Sequence, residues 1–304
     1  MHGQQVPRRS KIRYPKSTLQ LGLTKERSSV PTINLVGQPG GFSANTDVYV
    51  LPPLSFFLDV DYHGTFPRRG KPDNLFTQEF ELGLPYRFQV AFELSQEAQD
   101  GHRQIPGAVI EARYALANWG KIPLNPTLMV EYGLGIGKQY AVEAGQNQGE
   151  DTNSSNVEGI ERNDMPDVPD SYEITLLLGQ EIRESIEFAA NIFFDQDIGG
   201  VRQREIGFST ATAYEIHGGT LKVGFETSYR NVSENDDPEG AQNIFELGPS
   251  LAFKPSRRTR FDLTSLFGIT HQSPSIDLFV VFSVDFGTGA AKEIEPPAVR
   301  GGRH

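Results

Sequence analysis

The chain has 304 residues, with 28 Lys and Arg against 39 Asp and Glu, a formal charge of −11 and no cysteine. This acidic balance argues against a general nucleic-acid partner, because binding to phosphates requires clustered positive charge. The mean hydropathy is −0.40, and no stretch reaches the roughly 18 consecutive apolar residues of a membrane-spanning helix. The low hydropathy does not exclude a transmembrane β-barrel, since only alternate residues of its strands face lipid.

The N-terminal part of the chain differs in amino-acid composition from the rest. Residues 1–47 are rich in Pro, Gly, Ser and basic side chains and contain only short apolar runs. This composition predicts a flexible segment. Positive charge near the start is not followed by the apolar run of about 7 to 15 residues that a secretory signal contains. We therefore expect that a signal peptide was removed or missed.

From residue 54 to residue 286, apolar and polar side chains alternate in segments of about ten residues, which indicates β-strands. The first segment has Phe56 and Val60 on one face and Asp59 and Asp61 on the other. The same alternation recurs at 76–84, 88–94, 108–116, 128–136, 172–178, 186–194, 206–214, 221–229, 245–253, 261–269 and 276–286. The sequence therefore predicts about twelve strands.

The connections between these segments alternate in length. The longer ones lie at about 63–74, 95–106, 139–170 and 231–242. The tight ones lie at 85–86, 183–185 and 217–219. Long external loops and short periplasmic turns are typical of outer-membrane barrels. An even number of strands places both chain ends on the periplasmic side.

One face of every predicted strand lacks charged residues, although 22% of the chain is charged. A soluble twelve-stranded barrel would have to fill a wide interior with that apolar face, whereas lipid would solvate it directly. The sequence therefore predicts an all-β fold, a transmembrane antiparallel up-and-down β-barrel of about 12 strands. We place the barrel at residues 48–286, between a flexible periplasmic N-terminal segment (1–47) and a flexible C-terminal tail (287–304).

The last predicted strand, residues 276–286, alternates strictly and ends in Phe286. It resembles the C-terminal signal recognised during assembly of bacterial outer-membrane barrels, with Phe282, Val284 and Phe286 as the apolar positions. In most members the aromatic residue is the last one, whereas residues 287–304 follow here.

A second likeness concerns two internal stretches, Leu82–Val90 and Glu131–Gly135. Both resemble putative outer-membrane transporters of the phenol-degradation MetA type. Together the resemblances imply an outer-membrane location and passage of a small solute. They also imply partners among outer-membrane lipid, lipopolysaccharide and the barrel-assembly machinery, with no nucleic acid.

The polar face of the strands carries many carboxylates and few basic groups. We predict that it lines the lumen, with candidate selectivity residues Asp59, Glu79, Glu81, Glu93, Glu111, Arg113, Glu131, Glu173, Glu187, Glu205, Lys222, Glu226 and Glu246. A water-filled lumen of this charge would concentrate cations. The alternative is a narrow barrel in which these side chains form closed networks and nothing is conducted.

No catalytic or metal motif emerges. None of the six histidines lies beside a serine and an acid in a nucleophile pattern. Residues 151–162 lack the Gly and Glu of a calcium loop, and Gly133–Lys138 lacks the spacing of a phosphate loop. We therefore predict a pore or transporter for small solutes that is not an enzyme and has no cofactor or metal. The alternatives are a closed structural or adhesion barrel, a soluble β-barrel binding protein and an outer-membrane hydrolase.

Overall fold

A computed structural model describes residues 48–99, 102–138, 167–183, 185–200, 202–216, 220–234, 237–256 and 258–286. Among these residues, no helix is long and apolar enough to cross a membrane. Several predicted parts lie outside the described residues, namely the flexible segment at 1–47, most of the long connection at 139–170, the turn at 217–219 and the tail at 287–304.

Within the described residues, thirteen β-strands form a single antiparallel sheet. They are β1 (Phe56–Phe66), β2 (Asp73–Leu84), β3 (Phe88–Gln99), β4 (His102–Gln104), β5 (Gly107–Ala115), β6 (Thr127–Gly135), β7 (Ser171–Arg183), β8 (Ile186–Asp197), β9 (Gln203–Ile216), β10 (Leu221–Glu234), β11 (Asp237–Phe253), β12 (Thr259–Gly268) and β13 (Ile276–Asp285). All except the three-residue β4 form a closed ring of twelve strands, because β1 pairs with both β2 and β13 and β2 pairs with β3. The prediction of a twelve-stranded barrel is confirmed.

The strand ends differ slightly from the predicted ones. β3 continues to Gln99, and the short β4 pairs with its end through Glu97 and Gln104, inside the connection predicted at 95–106. The predicted tight turn at 85–86 is a single 3-10 turn, Pro85–Arg87, in which Tyr86 and Arg87 have positive φ of 63° and 65°. Positive φ at both central residues is typical of tight hairpin turns, because it matches the twist of the flanking strands. We call this end of the barrel the turn end and the opposite one the loop end.

Alternation along each strand separates the two faces of the sheet. On β2, Phe80 is 59% exposed on the outer surface, whereas Glu79 and Glu81 on either side of it are 3% and 4% exposed and face inward. The same contrast runs around the ring, so the predicted apolar face is the outer surface and the interior is polar. The assembly-signal positions Phe282, Val284 and Phe286 lie on this outer face at the turn end of β13, which closes the barrel against β1. Their role in assembly stays a prediction.

Candidate functional site in the lumen

All the residues predicted to line the lumen occupy inward positions of the closed sheet. Apart from the half-buried Asp59, every one of them is buried. The interior is therefore crowded with polar side chains that contact one another across strands. A sequence cannot give these contacts, because they depend on which strands pair and in which register.

The basic residues predicted for the lumen are each held by carboxylates. Arg113 on β5 is 2.6 Å from Glu111 through its Nε and 3.4 Å from Glu81 of β2 through a terminal nitrogen. Lys222 on β10 donates from Nζ to Glu187 of β8 at 2.6 Å. Both cations are buried, and close carboxylates offset the cost of burying their charge.

Two further arginines, Arg230 and Arg260, face the interior. The strand alternation predicts the inward position of Arg230, although it is not one of the candidate selectivity residues, whereas Arg260 was missed. Arg230 on β10 donates to Glu246 of β11 at 3.2 Å and lies 3.7 Å from Asp277 of β13. Arg260 on β12 is fully buried, with its Nε 2.7 Å from Asp262 and its guanidinium 5.8 Å above the ring of Phe57. The alternation that puts Phe261 outward would have placed Arg260 inward, had the predicted strand begun one residue earlier.

Carboxylates form a continuous row across the five neighbouring strands β5–β9. Glu111 of β5 is directly opposite Glu131 of β6, which is opposite Glu173 of β7. The row continues through Asp195 of β8 to Glu205 of β9. We define the acidic wall as the inward carboxylates of β6–β9 in the loop half of the barrel, namely Glu131, Glu173, Asp195, Asp197 and Glu205. The strand alternation predicts the inward position of Asp195, although it is not one of the candidate selectivity residues, whereas Asp197 lies past the predicted end of its strand.

A short stretch ahead of β1 lies inside the barrel at the turn end. We call residues 48–53 the inner segment. Val48 is completely buried against the inward alanines 189, 211, 213 and 252, with Trp119 packed beside the group. The backbone amide of Leu51 donates to Oε1 of Gln89 on β3 at 2.7 Å. The inner segment therefore narrows the lumen at this end.

Tyr49 anchors the inner segment to the connection after β5. Its hydroxyl donates to the carbonyl oxygen of Ala117 at 2.7 Å, and its ring meets that of Trp119 edge to face at 5.3 Å. Burial raises the pKa of this hydroxyl. On the opposite side, a Cβ at Gly83 would overlap the carbonyl oxygens of Pro52 and Leu51, so only glycine lets the inner segment lie against β2.

The fold of this chain is similar to that of known outer-membrane proteins, although its sequence is not. No protein-family model matches the sequence, and no curated protein sequence matches it either. An outer-membrane channel from Pseudomonas putida F1 superposes with a TM-score of 0.51 and 11% identity, over 79% of this chain and 98% of that chain. The chain has the fold of an outer-membrane β-barrel channel.

Two porins show looser likeness. The NanC porin has a TM-score of 0.45 and 11% identity, over 75% of this chain and 98% of its own. The KdgM porin has a TM-score of 0.45 and 8% identity, over 74% of this chain and 98% of its own.

In a barrel of the channel type, the contents of the lumen decide what can pass. Here the interior of the ring contains more carboxylates than cations, and those cations are engaged with carboxylates. The turn end is narrowed by the inner segment, for which the sequence offered one signal, the apolar run Val48–Leu51 directly before two prolines. Any conducting path must pass this segment along the carboxylate-lined walls.

Proposed function

We propose that the protein is an outer-membrane pore for small solutes with an acidic, cation-preferring lumen. The observation that supports this function best is the closed ring with an apolar outer band and a carboxylate-rich interior. An apolar band solvated by lipid and a polar interior are what a transmembrane barrel requires. In this setting the partners are outer-membrane lipid, lipopolysaccharide, the assembly machinery and the solute.

Cation preference follows from the sign of the lumen charge. Carboxylates that are not neutralised by Arg or Lys create a negative potential, which low-dielectric walls focus into the lumen. Rings of acidic side chains select cations in pores for this reason. The acidic wall adds to this potential, and no inward position of β6–β9 in the described residues is Lys or Arg.

A second candidate function is a closed structural barrel that does not conduct. The specific observation in its favour is the near-complete burial of the lumen carboxylates together with the inner segment at the turn end. In this case the buried ion pairs of Arg113, Arg230 and Arg260 would rigidify the barrel instead of lining a path.

Ion selectivity tests the proposal. In a KCl gradient across a planar bilayer, the reversal potential of the wild-type protein is expected to have the sign of a cation-selective pore. The triple change Glu79→Gln, Glu111→Gln and Glu131→Gln is expected to move it towards zero, because three lumen charges are removed. As a control, Asp167→Asn removes an acid whose side chain is 82% exposed, outside the strands, and should leave the reversal potential nearly unchanged. Anion selectivity, or an equal response to the control, would contradict the acidic lumen.

A further inference from the structure

The connection between β1 and β2 is strongly basic, although the chain as a whole has a formal charge of −11. Residues 67–72, between the end of β1 and the start of β2, contain Arg68, Arg69 and Lys71 and no acid. The nearest acid along the chain is Asp73, the first residue of β2. All three basic residues are exposed at the loop end of the barrel. We call residues 67–72 the basic connection.

Arg68 fixes the basic connection against the neighbouring connection between β12 and β13. Its Nε donates to the carbonyl oxygen of Ser273 at 3.2 Å. One of its terminal nitrogens donates to the carbonyl oxygens of Gly268 at 2.8 Å and Thr270 at 3.2 Å. These three acceptors are neutral, so the bonds orient the guanidinium and leave its positive charge in place. The charge of Arg68 is therefore held at a defined position on the rim of the barrel.

An apolar surface lies on the outside of the barrel, between the basic connection and the middle of the strands. Phe76 of β2 is 44% exposed, and Phe267 and Ile269, at and just after the end of β12, are 45% and 56% exposed. The rings of Phe76 and Tyr62 of β1 have their centroids 5.1 Å apart. Aromatic side chains near the strand ends are typical of the membrane interface of barrels. Positive charge thus borders the edge of the apolar outer band.

Positive charge beside an exposed apolar band matches the chemistry of a phosphorylated lipid. Guanidinium groups bind phosphate oxygens through paired hydrogen bonds, and lysine adds a point charge on a flexible stem. Basic clusters beside a membrane surface attract anionic head groups. A soluble anion would use the charge alone, whereas the neighbouring apolar surface also offers contacts to acyl chains.

We propose that the basic connection binds the phosphate groups of lipopolysaccharide, while acyl chains of the same lipid lie against Phe76 and Phe267. Arg68 is the fixed contact, and Arg69 and Lys71 add positive charge beside it. The longer connections of an outer-membrane barrel lie on the external side, where lipopolysaccharide forms the outer leaflet. The inference rests on the proposed outer-membrane location and gives one of the proposed partners a binding site.

Binding of fluorescent lipid A to the full chain, refolded in detergent micelles and followed by fluorescence anisotropy, tests the site. Lipid A that carries its phosphates is expected to bind the wild-type protein. The triple change Arg68→Ala, Arg69→Ala and Lys71→Ala is expected to weaken binding at least about tenfold, since each basic residue near an anionic surface contributes about fivefold. The double change Arg69→Ala and Lys71→Ala keeps the hydrogen bonds of Arg68, and it should also weaken binding if the triple variant does not refold.

The matched control removes three exposed cations from the turn end, through Lys121→Ala, Arg183→Ala and Arg258→Ala. It is expected to retain the wild-type affinity. Unchanged affinity in the variants of the basic connection, or equal weakening in the control, overturns the inference. So does equally tight binding of lipid A without phosphates, or displacement by an equal concentration of inorganic phosphate, which would indicate a site for the free anion. A protein that conducts without binding lipid A keeps the proposed pore and loses this site, whereas one that binds lipid A here and never conducts keeps the site and loses the pore.

Discussion

Replacing Ile192 with Arg is expected to lower the free energy of unfolding in lipid by about 2–4 kcal/mol, the cost of a basic residue near the bilayer midplane on a barrel surface. Ile192 lies in the middle of β8, faces outward and is 53% exposed. Its exposure would be harmless in water, because a surface isoleucine can be replaced by a charged residue at little cost. In lipid the guanidinium loses its hydration. The size of the decrease in unfolding free energy therefore shows whether this face of the barrel contacts lipid or water.

The control is the same substitution at Ile198, directly after the last residue of β8. Ile198 is 47% exposed, which is close to the exposure of Ile192. At the interface the cost of Arg falls to about 0–1 kcal/mol. Urea titrations of refolding into phosphatidylcholine vesicles give both values. Similar small losses for the two variants would argue against a lipid-facing surface and favour a soluble barrel.

Removing residues 1–51 is expected to raise the single-channel conductance severalfold. Val48 packs against four inward alanines, whose small side chains leave room for the inner segment and cannot fill its place. Without it, water would occupy the turn end of the lumen, and the narrowest part of the path would widen. The measurement is the conductance of the deletion variant and of the wild type in the same bilayer and salt.

A point variant tests whether the change in conductance comes from displacing the inner segment and not from removing the residues before it. Gly83→Ala places a Cβ against the backbone carbonyls of Leu51 and Pro52, which must move away, so conductance should change in the direction of the deletion. Gly133→Ala is the control, because its Cβ meets only the side-chain oxygen of Ser171, which can rotate. A deletion that leaves conductance unchanged would show that the inner segment does not limit the path.

The strands could be predicted from the sequence because each carries its own signal. The period-two pattern of β2, with Phe80 outward between Glu79 and Glu81, depends only on neighbouring residues and on the solvents at the two faces. The tight turn before β3 and the outward pattern of β13 are local in the same way. The closed barrel was predicted from the even number of strands and from the lack of charged residues on one face of each predicted strand.

The partners inside the lumen could not be predicted, because they depend on register between strands far apart in sequence. Asp195 reads as one more inward acid until β7 and β9 place Glu173 and Glu205 beside it. Arg260 was missed because its strand was taken to begin at Phe261. The inner segment carries an apolar run too short for a strand, and only the closed ring gives it a cavity to enter.

Single-channel recording of the refolded wild-type protein in a planar bilayer tests the central claim most directly. We expect discrete, cation-carried current steps, because the barrel encloses a polar, acidic lumen and the inner segment narrows it at one end. Stable insertion into the bilayer without any current steps would contradict a pore and support a closed structural barrel.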